Sequence, residues 1–207
     1  MRNPFMAGIL KHAICITGIA LVPLVGCAPR ETRIEIQSFR SGGEAELLFQ
    51  EFDTCYYAMT AGGHMDIVMQ RETPSQVDPA QTIAQAVHLR GFWKPIPGTT
   101  LAEESMINGT ICYMIVTGTA AVGYQGGLFM SFRENVKLGR LTGKLESSRL
   151  EPLRKRGGAK EPFASALAKG TFVAERDRRR VVKILNDMER RLGPPPEYVP
   201  KEKPFVR

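Results

Sequence analysis

Apolar and polar residues alternate along most of this chain with the two-residue period of a β-strand. Arg33-Ile34-Glu35-Ile36-Gln37 shows the pattern first, and Ser41-Gly42-Gly43 breaks it. Glu44 to Phe52 fits helical and strand periods alike, and a strand is the preferred reading. Cys55 to Met59 is rich in strand formers, and Ala61-Gly62-Gly63 predicts a hairpin turn. His64 to Gln70 then alternates, with Met65, Ile67 and Met69 on one face. Thr73-Pro74-Ser75 and Asp78-Pro79 predict a loop. Gln81 to Trp93 predicts a long strand, with Ile83, Val87, Leu89 and Trp93 on one face and Thr82, His88 and Arg90 on the other. Pro95-Ile96-Pro97-Gly98 ends it.

The second half continues in the same way. Met106 to Thr117 places Ile107, Ile111, Tyr113 and Ile115 on one side, and Gly118-Thr119 turns the chain. Ala121 to Phe132 returns, with a bulge expected at Gly126-Gly127. After a turn near Asn135 to Gly139, Arg140 to Leu150 predicts a further strand. Arg154-Lys155-Arg156-Gly157-Gly158 predicts a basic loop, and Thr171 to Ala174 a short strand. The period then changes. From Asp177, a favourable N-cap, Val181, Leu185, Met188 and Leu192 recur at helical spacing, and Gly193-Pro194-Pro195-Pro196 stops the helix. No internal repeat is visible. The expectation is a mainly β fold: an antiparallel sheet or sandwich with one C-terminal amphipathic helix at about 177–192. An α+β single sheet covered by the helix is the alternative.

The N-terminus follows neither period. Arg2 and Lys11 place positive charge at the front, and Ala13 to Leu24 (AICITGIALVPL) is apolar without a charge. Twelve residues fall short of the roughly 20 that a membrane-crossing helix needs, and match a signal h-region of about 7–15. Leu24-Val25-Gly26-Cys27 closes this stretch. It resembles the lipobox of bacterial lipoproteins, a likeness that covers residues 1–27 alone. The resemblance implies cleavage between Gly26 and Cys27, a diacylglyceryl thioether on the Cys27 sulfur, and often acylation of the new Cys27 amine. It also implies an envelope location facing the periplasm, with inner and outer membrane both open. Ala28, where an aspartate tends to retain such proteins in the inner membrane, permits outer-membrane delivery. The expected organisation is a signal peptide at 1–26, a lipidated tether at 27–32, one β-rich domain at 33–192 and a Pro/Lys-rich tail at 193–207.

Removing residues 1–26 leaves 181 residues, enough for one domain with a sizeable core. The formal charge falls from +7 to +5, and it is uneven: −3 over residues 27–151 and +8 over 152–207. The basic third suggests an anionic partner, such as lipid headgroups or an acidic envelope component. The candidate contacts are Arg178, Arg179, Arg180, Lys183, Arg190 and Arg191; a solvated helix face is the competing reading. An exported chain is not expected to meet nucleic acid. Cys55 and Cys112 remain as a possible disulfide in an oxidising compartment, against two free cysteines in apolar strands.

Catalytic motifs are missing. The sequence has no HExxH, CxxC, GxSxG or phosphate-binding loop, and nothing in it calls for a cofactor or a metal. His64 and Asp66, at i and i+2 on one strand face, form the one nameable ionisable pair, and His88 joins them only if the strands pair in the right register. Glu103-Glu104 points apart on an extended chain. Trp93, Phe92 and Tyr113 are candidates to line a groove, with core packing the alternative. The reading that follows is a lipid-anchored envelope protein with a non-catalytic structural or binding role. An envelope enzyme near His64 and Asp66, and a periplasmic small-ligand carrier, are the alternatives.

Overall fold

The computed structural model describes residues 31–39, 45–75, 78–94 and 107–193. Leu24-Val25-Gly26-Cys27, the Ser41-Gly42-Gly43 break, the Glu103-Glu104 pair and the tail at 194–207 lie outside them. The strands are β1 (Arg33–Phe39), β2 (Ala45–Glu51), β3 (Thr54–Met59), β4 (Met65–Pro74), β5 (Thr82–Gly91), β6 (Gly109–Thr117), β7 (Ala120–Asn135), β8 (Arg140–Arg156) and β9 (Ser165–Arg176). One helix, α1 (Arg178–Leu192), follows. The protein is therefore mainly β with a helix near the C-terminus.

The sheet closes on itself. Antiparallel pairings run from β3 through β4, β5, β6, β7 and β8 to β9. The end of β9 then meets β3 in a short parallel pairing, Tyr56 with Glu175 and Tyr57 with Arg176. These seven strands form a barrel. The β1–β2 hairpin extends the sheet from the first half of β9, so that among the described residues β2 is an edge strand.

Alternation sorts side chains to the two sides of the wall. Ile67, Met69, Val87, Leu89, Ile111, Tyr124, Leu128, Met130, Leu141, Leu145 and Phe172 fill the interior. The outer positions of one sector are apolar too: Tyr56, Ala58, Val68, Ala86, Met114, Val116 and Ala121. Val181, Ile184, Met188 and Leu192 of α1 bury against them. Small residues let the helix lie close, and a Cβ on Gly123 would stand 2.7 Å from the Leu192 side chain. Each buried aliphatic side chain contributes about 1.5–3 kcal/mol, more than the helix's own propensity supplies. Asp177 caps α1 by accepting from the Arg180 N–H at 3.0 Å.

Several expectations change. Strand β4 runs on through Pro74, which occupies its last position, where a missing N–H costs least. Arg154, Lys155 and Arg156 belong to β8 and not to a loop. Arg154 Nη1 donates to the Leu192 carbonyl at 3.1 Å and Arg156 Nη1 to that of Arg190 at 3.5 Å, placing cations at the negative end of α1. The irregularity near Gly126 lies in β8 and not in β7. Gly123 pairs with Arg154 and Tyr124 with Pro152, which leaves Leu153 over; Phe129 pairs with Ser147 and Met130 with Leu145, which leaves Glu146 over. Strand β9 has 12 residues, far more than the four its composition suggests.

Candidate functional site on the outer wall

Asp66 points outward from β4, because its neighbours Met65 and Ile67 point in. The β4–β5 register sets Asp66 opposite Arg90 and Val68 opposite His88. Asp66 Oδ1 therefore receives two hydrogen bonds, from His88 Nε2 at 2.8 Å and from Arg90 Nε at 2.9 Å. Asp66 itself is 4% exposed, beside Ala58 of β3. Burial alone would raise the pKa of this carboxyl; the bonds from His88 and Arg90 outweigh it and bring the pKa down to about 2. Asp66 is thus a carboxylate at neutral pH, which can only accept, so His88 Nε2 carries the proton.

The expected partner of Asp66 is thereby corrected. His64 lies just before β4, where its ring meets Phe92 edge-on at 5.7 Å and its backbone bonds Thr60. It makes no hydrogen bond to Asp66, because the chain is still turning at His64 and has not begun to alternate.

Cys112 of β6 stands directly across from His88. Both line an open groove of about 1500 Å³, bounded among the described residues by Leu185, Met188 and Glu189 of α1 on one side and by Arg149 and Lys169 on the other. The disulfide expectation is overturned. Both cysteines are free; Cys55 packs inside the barrel and Cys112 lies outside, so the wall separates them. Burial pushes the Cys112 thiol up to about 11. Of the three aromatic candidates for a groove, Phe92 alone lines this one among the described residues. Tyr113 is inside the barrel, stacked with Tyr124 and Phe163, whereas Phe92 and Trp93 are 42% and 41% exposed beyond the end of β5.

The basic helix divides into two kinds of cation. Arg180 lies over the Tyr56 ring, donates to its hydroxyl and pairs with Asp177. Arg190 and Arg191 both pair with Asp187 at 2.8 Å. Arg178, Arg179 and Lys183 form no ion pair among the described residues and are exposed. The same residues contain no group of three or more ligands for a metal ion. Comparison with known proteins finds no matching family model, no matching curated protein and no matching solved structure.

Asp66 ties β4 to β5, and its titration has a defined sign. The folded pKa is about 2 and the ordinary value 3.8, so the stabilisation is complete above about pH 4 and is lost as pH falls toward 2. Asp66→Asn is expected to lower unfolding stability at pH 7 by about 2 kcal/mol. Urea midpoints at pH 7 and pH 2.5 check this: the gap between wild type and variant should close in acid. An equal gap at both pH values would refute the assignment.

Proposed function

We propose that this chain is a lipid-anchored bacterial envelope protein with a non-catalytic binding role. The observation that carries the reading is Leu24-Val25-Gly26-Cys27 at the end of a short apolar run. The barrel supports a binding role. Its interior is filled with side chains, and its broad concavity lies outside, along α1. A partner held there would meet Cys112 and His88 as contact groups. Of the helix cations, Arg178, Arg179 and Lys183 suit an anionic partner best, since Arg180, Arg190 and Arg191 already have carboxylate partners.

Intact mass of the membrane-extracted protein tests the reading. Wild type should lack residues 1–26 and carry the added mass of acyl chains; Cys27→Ala should lose both changes. Native protein that keeps Met1 to Gly26, or has an unmodified thiol at position 27, would refute it.

The Asp66–His88 hydrogen bond, with Cys112 across from His88, favours one second reading, an envelope enzyme with a thiol nucleophile. Burial works against it, because the neutral thiol is the poor nucleophile. Alkylation of Cys112 by iodoacetamide separates the two: a rate above that of a free thiol at pH 7 would favour the enzyme.

A further inference from the structure

The two most exposed large apolar side chains among the described residues are Val136 and Leu138, at 67% and 72%. Both belong to the single 3₁₀ turn that links β7 to β8. The turn is held rigidly: Asn135 Oδ1 accepts from the Leu138 N–H at 3.2 Å, and Gly139 closes it at φ 58°, a conformation that glycine adopts without strain. Two bare hydrocarbon side chains on a preformed tip need a reason.

The chain's connections supply one. The Arg176 N–H donates to the Gly139 carbonyl at 2.8 Å, so the end of β9 and the start of α1 lie against the tip. Strand β1 runs antiparallel to β9, so the chain enters it from the side of this end, with Arg33 beside Thr171, five residues before Arg176. Thr32 Oγ1 bonds both the carbonyl and the N–H of Val173, and Thr171 Oγ1 donates to the Glu31 carbonyl. Cys27 precedes Glu31 by four residues, which reach at most about 14 Å when fully extended. An acyl anchor on Cys27 would therefore hold this end of the barrel to the bilayer.

The charge at this end has the matching sign. Arg133, Lys137, Arg140, Arg176, Arg178 and Arg179 are exposed and form no ion pair among the described residues. Of the nearby acids, Glu134 accepts from the Tyr57 hydroxyl at 2.9 Å and Asp177 caps α1, which leaves Glu175, opposite Arg140, and Glu31 against the six cations. Arg178 and Arg179, in a first turn of α1 that holds no acidic residue, run against the helix dipole, and unlike Arg180 they make no contact among the described residues that ties the helix down.

We propose that this end is a membrane-docking face. Val136 and Leu138 insert at the headgroup boundary, and the surrounding arginines and Lys137 bind anionic phospholipid headgroups. The inference rests on the lipid-anchor reading for its geometry, although the tip can be tested apart from the anchor.

The full-length protein, purified from membranes, is incorporated into vesicles of phosphatidylglycerol and phosphatidylethanolamine, or of phosphatidylcholine alone. Leu138→Cys carries an environment-sensitive dye, with Thr119→Cys at the far end of α1 as the control and Cys112→Ser in both. The Leu138 dye should shift to the blue and be quenched by brominated lipid on anionic vesicles, and much less on neutral ones. The Thr119 dye should report water on both. Val136→Ser with Arg176→Gln, Arg178→Gln and Arg179→Gln should reduce the quenching at position 138 by roughly tenfold. Intact mass reads the anchor in parallel. With the acyl chains present, matching water-like emission from both positions overturns the docking face and leaves the anchor standing. If the chains are absent the anchor reading fails, and the Leu138 dye alone decides: entry into lipid upholds the face and a water-like signal overturns it.

Discussion

Tyr124→Ala is expected to cost about 3–5 kcal/mol of unfolding stability, a large part of the 5–15 typical of a domain. Tyr124 is fully buried inside the barrel. Its ring stacks on Phe163 at 4.1 Å and on Tyr113 at 6.3 Å, and its hydroxyl donates to the Phe163 carbonyl at 3.1 Å. Phe163 lies between β8 and β9, and it is 4% exposed because it enters the core from that connection. Tyr124 thus joins the wall to the segment that precedes the closing strand. Alanine would leave a cavity and free Phe163 together. Tyr124→Phe keeps the ring and loses one hydrogen bond, so about 1 kcal/mol is expected. Urea denaturation of the three proteins gives the comparison. Equal midpoints for the Ala and Phe variants would show that the ring is not what holds this end of the core.

The elements were legible because each period reports one local fact. Met65, Ile67 and Met69 alternate since that face is the barrel interior, and Val181, Met188 and Leu192 recur because one side of α1 meets the wall. Closure was not legible. It depends on two residue pairs between β3 and β9, about 120 positions apart, and no local pattern encodes them. The outer apolar sector is the local departure from that alternation. Where α1 covers the barrel both faces are apolar, so Tyr56, Val68 and Met114 blur the alternation.

The site was half legible. Asp66 stood out as an acid within an apolar strand, but its partners are set by register. A signal for that register was present. The β4–β5 pairing is centred on Asp78, beside the Asp78-Pro79 turn, and counting outward sets Asp66 opposite Arg90. Likewise, the β6–β7 pairing is centred between Gly118 and Thr119, which sets Cys112 opposite Gln125. Using the turn as the origin would have exchanged His64 for His88. The uneven charge also gains a meaning. Part of the basic C-terminal third serves the fold, with Arg154 and Arg156 on the last carbonyls of α1 and Arg190 and Arg191 around Asp187. The cations left over gather where the chain enters the barrel, at the opposite end of α1.

Gly126→Ala should disrupt the barrel more than any other single methyl added to its wall. A Cβ at Gly126 would lie 1.5 Å from the Arg149 carbonyl oxygen and 2.7 Å from its carbon, and both are backbone atoms that no rotamer change can move aside. The reason lies in β8. Between its two extra residues, Glu146 and Leu153, that strand bends across β7, and glycine is what allows the approach. An alanine must push β8 off β7 where the wall is longest, exposing Tyr124 and Leu128 on either side. A loss of about 3 kcal/mol or more is expected, at the upper end of overpacking costs. Gly62→Ala is the matched control, since its Cβ would meet the His64 ring at an ordinary 3.4 Å and the Thr60 hydroxyl at 3.9 Å in the β3–β4 turn. Denaturant midpoints of both variants measure the contrast, and loss of the near-ultraviolet signal of the buried tyrosines would locate the damage at this seam. A Gly126→Ala protein as stable as the Gly62→Ala control would mean that β7 and β8 are not in this close contact.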